Sequence, residues 1–190
     1  MSIWDILVLI IVVIFVFFYL KKYFNEVIYV KSSVDNRTYL VQKLSGSKQA
    51  ANMLADINAD LTRLITHLLA KYPDDEDIKR LYENYNPESI SEGSPDSGYT
   101  SYSVNKGEKL VLCLRQKDDV KAFVDKNIVI YVAIHELGHI MTNEVGHTDG
   151  YWKLFKRILL EAVSIGVYTK IDFAAHPVEY CGITITSSVI

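Results

Sequence analysis

The sequence predicts an α+β fold: one N-terminal helix of membrane-spanning character, then a small domain built on a buried helix beside a short antiparallel sheet. Three observations carry this. Ile3 to Leu20 is apolar except for Asp5. Ile128 to Ile134, continuing through Leu137, Ile140 and Met141, is apolar without period-2 alternation, which is too long for a strand and suits a buried helix. Between them lie short β-prone runs separated by turn signals. The expected organisation is an anchor over 1–22, a juxtamembrane hairpin over 23–46 and a compact domain over 47–190.

The first element follows from length and flanks. Eighteen helical residues from Ile3 to Leu20 span about 27 Å, close to a hydrocarbon core. No Lys or Arg precedes the run and no small-residue cleavage site follows it, so a retained anchor is expected rather than a signal peptide. Lys21, Lys22, Lys31 and Arg37 follow closely, which by the positive-inside rule puts the C-terminal domain in the cytosol. Asn36-Arg37-Thr38 is a glycosylation sequon and has meaning only for the opposite orientation.

Val27 to Val30 and Tyr39 to Val41, joined by a polar turn at Asp35-Asn36, predict a hairpin. Ala50, Leu54, Ile57, Leu61, Leu64 and Leu68 recur in steps of three and four, so Lys48 to Lys71 predicts an amphipathic helix whose stripe faces a core. The acids after Pro73 open a short helix, Glu76 to Tyr85. Asn86 to Gly98 is rich in Ser, Pro and Gly and reads as a loop. Tyr99 to Val104 and Lys109 to Arg115, around Asn105-Lys106-Gly107, predict a second hairpin; Gln116 to Lys126 reads as a loop or short helix. Asp125 or Asn127 caps the buried helix, and Gly146 ends it. Tyr151 to Tyr168 predicts the closing helix, and Val178 to Thr186 a last strand.

The buried helix carries His135-Glu136-Leu137-Gly138-His139, the pattern HExxH. Residues four apart stack on one helix face, so His135 and His139 can offer two imidazoles to one metal ion. Glu136 stands where a carboxylate reaches a water on that metal. The competing reading, two core histidines and a carboxylate held by hydrogen bonds, is costly without a metal. A hydrolytic zinc site needs a third ligand and an open position. His147, eight residues after His139 and behind Gly146, is the first candidate; Glu161 is the second, and Glu144 and Asp149 read as solvated. His176 could reach the site as a hydrogen-bond donor to a developing oxyanion, although a purely structural role suits it better. His67 belongs to the amphipathic helix as a surface or core residue.

The segment His135 to Leu159, with the strand Leu110 to Arg115 before it, resembles the core of the WLM/SprT-like zinc metallopeptidases, which are zincins. In these an HExxH helix is followed by a turn, a third His and aromatic residues opening a closing helix; Tyr151, Trp152 and Phe155 take those places here. The resemblance covers about Lys109 to Tyr168, and the arrangement also resembles uncharacterised membrane-anchored proteins of large DNA viruses. It implies a zincin-like domain with Zn2+ held by His135, His139 and His147, Glu136 as general base, and a protein or peptide substrate aligned on Leu110 to Leu114 as an edge strand.

Composition sets the remaining bounds. The net charge is −3 and no basic stripe appears, which argues against nucleic acid as a partner. Two cysteines, Cys113 and Cys181, are no disulfide framework and read as reduced buried thiols. A tethered scaffold whose zinc is structural is the alternative function; it would close the site with Glu161, Asp149 or His176 as a fourth ligand.

Overall fold

A computed structural model describes residues 3–95 and 97–190. Met1 and Ser2 of the expected anchor, and Asp96 of the expected loop, lie outside the described residues. The chain runs α1 (Ile3–Glu26), β1 (Val27–Lys31), β2 (Thr38–Gln42), α2 (Ser47–Lys71), α3 (Glu76–Asn84), β3 (Ile90–Glu92), β4 (Tyr102–Val104), β5 (Lys109–Leu112), α4 (Lys126–Met141), α5 (Asp149–Ser164), β6 (Val178–Tyr180) and β7 (Ile183–Ile185). The fold is mixed α+β, as the patterning predicts.

α1 is long and apolar enough over Ile3–Lys21 to cross a membrane by length and composition, and none of that window is buried against the rest of the protein. It runs without a break into β1. β1 and β2 pair antiparallel from Val27↔Gln42 to Lys31↔Thr38, the hairpin read from the sequence. Tyr39 and Val41 point from it into the same buried cluster as α2 and α4.

The domain is organised around α4. Asp125 caps it, its carboxylate accepting the Asn127 amide, and eleven of its residues are buried, from Ile128 to Met141. It packs against α2, α3, α5, β4 and β5. The α2 stripe is fully core: Ala50, Leu54, Ile57, Leu61, Leu64 and Leu68 are all inaccessible to solvent. Burying a side chain of this size is worth roughly 1.5–3 kcal/mol, which is what fixes α2 and α4 face to face.

The central sheet departs from expectation in two respects, and the C-terminus in a third. Its order is β3-β5-β4, so β5 is the central strand and β4 the edge. The expected edge strand Leu110 to Leu114 is thereby corrected: its unbroken apolar run is what a strand covered on both faces requires. The segment read as a loop contains β3, which pairs parallel to β5 from Ile90↔Leu110 to Glu92↔Leu112, so the sheet is mixed rather than antiparallel. Its cause lies in Glu92, fully buried and paired with Arg115 at 2.9 Å, while its other oxygen accepts the Gln42 amide at 2.7 Å. At the C-terminus the expected single strand is a hairpin, β6 with β7, turning at Cys181-Gly182.

The expectation of two free thiols is also corrected. Cys113 and Cys181 form a disulfide across 68 residues, with Cα atoms 6.4 Å apart. It ties the end of β5 to the turn of the β6–β7 hairpin. Two cysteines far apart in sequence carry no signal of this; only the packing of that hairpin beside β5 brings them together.

Candidate metal centre and cleft

α4 sets His135 and His139 one turn apart with ring centroids 5.0 Å from each other. The helix stops at Thr142, whose backbone is extended. Gly146 then takes φ +83°, a left-handed conformation open to glycine, and the chain reverses. This brings His147 Nε2 to 3.0 Å from His135 Nε2 and 3.1 Å from His139 Nε2. All three donor atoms lie within 4.8 Å of one another. Nitrogens about 2.0–2.1 Å from a tetrahedral zinc stand roughly 3.3 Å apart, so the cluster has the dimensions of a zinc site. Burial, reinforced by the neighbouring histidines, lowers His135 to about 3; burial, with His147 and Lys106 nearby, lowers His139 to about 4. Both rings are therefore neutral at pH 7 and present lone pairs, the form a metal needs.

Glu136, 7% exposed, lies beside the cluster and faces β4. Burial raises its carboxyl to about 7 against the lowering effect of hydrogen bonds from Ser103. Its Oε2 accepts the Ser103 amide at 3.0 Å. The register explains why that amide is free to do so. Leu110, opposite Ser103, donates its own amide to Ser89 on the β3 side. Ser103 and Leu110 thus form a non-hydrogen-bonded pair, and the polar backbone groups of Ser103 point off the open edge toward α4.

Aromatic residues of α5 frame the histidines. Tyr151 stacks on His139 at 4.3 Å and 22°, and its hydroxyl donates to the His135 carbonyl at 3.0 Å. Trp152 stacks on His147 at 5.3 Å and 23°. Phe155 meets the His135 ring edge-on at 5.3 Å. Gly138 makes this approach possible, since a Cβ there would lie 3.0 Å from the Tyr151 ring.

The cluster opens into a cleft of about 960 Å³, floored by His135, Glu136, His139 and His147. One wall is Thr100 to Ser103 of the β4 segment; the other is Ile183, Ile185 and Ser187 to Val189 at the C-terminus. The remaining sequence candidates stand elsewhere. Glu161 does not approach the cluster: it accepts bonds from His67 Nε2 at 2.9 Å, Lys71 Nζ at 2.7 Å and the Tyr72 hydroxyl at 2.7 Å, tying α5 to α2. These partners hold its carboxyl down to about 2 despite burial. His67 is therefore a partner of Glu161. His176 is exposed and outside the cleft, its amide bonded to Asp172. Asp149 is exposed at the start of α5, and Glu144, at the cleft rim, accepts the Thr148 hydroxyl. Ser103 and Lys106 line the cleft without having been singled out from the sequence, where Asn105-Lys106-Gly107 signals only a turn.

The profile of the WLM domain matches residues 34–175, well beyond the segment that carried the resemblance. Uncharacterized protein R325 of Acanthamoeba polyphaga mimivirus is 34% identical over 190 residues, covering 98% of this chain and 96% of the relative. Uncharacterized protein 136R of Invertebrate iridescent virus 6 is 36% identical over 72 residues, covering 37% of this chain and 40% of its own. Among solved structures, Wss1 from Saccharomyces cerevisiae aligns with a TM-score of 0.49 at 17% identity, over 66% of this chain and 86% of that one. With three quarters of its length matched by one profile and a viral relative alike from end to end, the chain belongs to the WLM domain family.

Proposed function

We propose that this protein is a zinc-dependent peptidase, anchored to a membrane by α1, in which His135, His139 and His147 hold the metal and Glu136 is the general base. The observation that carries the reading is the convergence of three imidazole nitrogens on one point of an open cleft, beside a buried carboxylate. The donor set suits zinc, which takes three protein nitrogens at catalytic sites and keeps one position free.

When bound, zinc would supply a Lewis acid and lower the pKa of a coordinated water toward 7. Glu136, beside the cluster, would accept a proton from the attacking water on its carboxylate and return it to the leaving amine. Ser103 orients the carboxylate until substrate arrives. The open edge of β4 then offers backbone groups to an extended protein or peptide segment lying along the cleft. Tyr151 and Trp152 keep the imidazole planes fixed, so little reorganisation accompanies metal binding. A closed structural zinc is disfavoured because Glu161 is engaged by three donors and Asp149 and His176 lie away from the cluster. The charge of −3 favours a protein substrate over nucleic acid.

Two features bear on the side of the membrane. Lys21 and Lys22 would hold the domain in the cytosol, whereas a bonded Cys113–Cys181 pair belongs to oxidising surroundings. Alkylation during denaturing lysis decides, because both sulfurs are buried in the folded domain: directly alkylated Cys113 and Cys181 support the cytosolic side, and cysteines alkylated only after reduction, with a glycan on Asn36, contradict it.

The test of function uses the full chain in detergent micelles against an unfolded protein substrate. Wild type should cleave it, a chelator should stop cleavage, and Glu136→Gln should keep its zinc while losing turnover. Equal cleavage by Glu136→Gln would remove Glu136 as the base.

A further inference from the structure

The third histidine presents a problem of positioning. His135 and His139 stand one turn apart on the buried helix α4, but His147 sits on an exposed turn beyond the helix end. Val145 in that turn is 89% exposed, and nothing stands within 4 Å of where a Gly146 side chain would begin. Trp152, stacked on the His147 ring at 5.3 Å and 23°, sets the plane of that ring, but Val145 and Gly146 give the backbone that carries it no packing to hold a ligand to the tolerance a metal requires.

Lys106 lies across the gap. Its Nζ donates to the carbonyls of His139 at 3.0 Å, Thr142 at 2.9 Å and Glu144 at 2.8 Å. An ammonium group has three N–H donors, and here each has an acceptor. One acceptor belongs to the second histidine, one to the helix cap and one to the turn leading to His147. The amine therefore satisfies carbonyls orphaned at a helix end and joins the turn to the helix. Lys106 is itself firmly placed. Asn105 and Lys106 adopt φ +45° and +57°, and Gly107 follows at +120°. Gly107 is pressed against the end of α3, where an added Cβ would come 2.4 Å from the Asn84 carbonyl.

We propose that Lys106 is a positioning residue for the metal centre, setting His147 against His135 and His139. This rests on the three-histidine zinc reading above. Arg80 supplies an internal comparison. Its Nη1 donates to Asp77 and to the Met141 carbonyl, the latter also at the end of α4, both at 2.6 Å, and among the described residues it makes no hydrogen bond to the turn beyond Thr142.

The experiment is zinc affinity of the full chain in micelles, measured by competition with a chromophoric chelator, alongside thermal unfolding of each metal-free variant. Loss of a residue supporting metal ligands typically weakens binding roughly 10- to 100-fold. Lys106→Met should weaken zinc by that factor, Lys106→Gln by less and Lys106→Arg least. Arg80→Met should lower the melting temperature while shifting zinc affinity less than about 3-fold. A double-mutant cycle gives the sharper reading. In a His147→Ala background, Lys106→Met should cost almost nothing further in zinc affinity, because the ligand it positions is gone. Unchanged zinc affinity in folded Lys106→Met, or full additivity with His147→Ala, overturns the proposal and leaves the zinc site standing. Absence of zinc binding in wild type overturns the zinc reading and this inference with it.

Discussion

Replacing Glu161 by Gln separates stability from metal binding at one residue. The carboxylate is 8% exposed and receives His67, Lys71 and Tyr72. Its carboxyl is held at about 2, against 4.5 for a free one. At about 1.36 kcal/mol per unit, that difference is worth roughly 3 kcal/mol. The Lys71 side chain is 47% exposed, so solvent screening reduces the figure to about 2 kcal/mol. Because the folded value is depressed, the stabilisation is complete above about pH 4.5 and is lost as pH falls toward 2. Urea unfolding of the full chain in micelles should show Glu161→Gln about 2 kcal/mol less stable than wild type at pH 7. That corresponds to a melting point lower by about 4–8 °C. The gap should narrow between pH 4.5 and pH 2, and zinc stoichiometry at pH 7 should be unchanged. A gap under about 0.5 kcal/mol at pH 7 would refute the electrostatic reasoning. Loss of zinc from a folded variant would restore Glu161 as a ligand.

Other perturbations test the frame around the site. Gly138→Ala places a Cβ 3.0 Å from the Tyr151 ring, which must shift off His139. Thermal unfolding should register a loss of about 1–3 kcal/mol, and zinc titration a weaker site. Glu92→Ala leaves Arg115 buried and unpaired, and chemical unfolding should report a cost of about 3–5 kcal/mol. A stability within about 1 kcal/mol of wild type would mean that water reaches Arg115. Reducing Cys113–Cys181, which closes a separation of 68 residues, should cost up to about 4 kcal/mol, read as a lower urea midpoint with dithiothreitol. The Cys113→Ser/Cys181→Ser double variant should match the reduced wild type.

Much of this architecture is legible in the chain because single elements state their own period. The α2 stripe, the apolar run of α4 and the turn at Asp35-Asn36 each need no partner to be recognised. The three histidines are legible for the same reason: two are fixed by helical spacing, and the third by a glycine that lets the chain reverse. What escapes is set by distant residues. β3 is three residues long inside a Ser-rich segment, and its place depends on Arg115, 23 positions after Glu92. The central position of β5 was written in the unbroken apolar run Leu110 to Leu114, a signature of burial on both faces. Glu161 had a faint signal as well. His67 and Lys71 are four apart on α2 and form a basic face that a buried acid could meet. The roles of Ser103 and Lys106 had none, because each works through a contact more than 30 positions away.

X-ray absorption at the zinc edge of the full chain reads the ligands of the metal themselves. Three imidazole nitrogens and one light non-protein ligand at about 2.0–2.1 Å are predicted. Sulfur in the coordination shell, four protein ligands, or no bound zinc would contradict it.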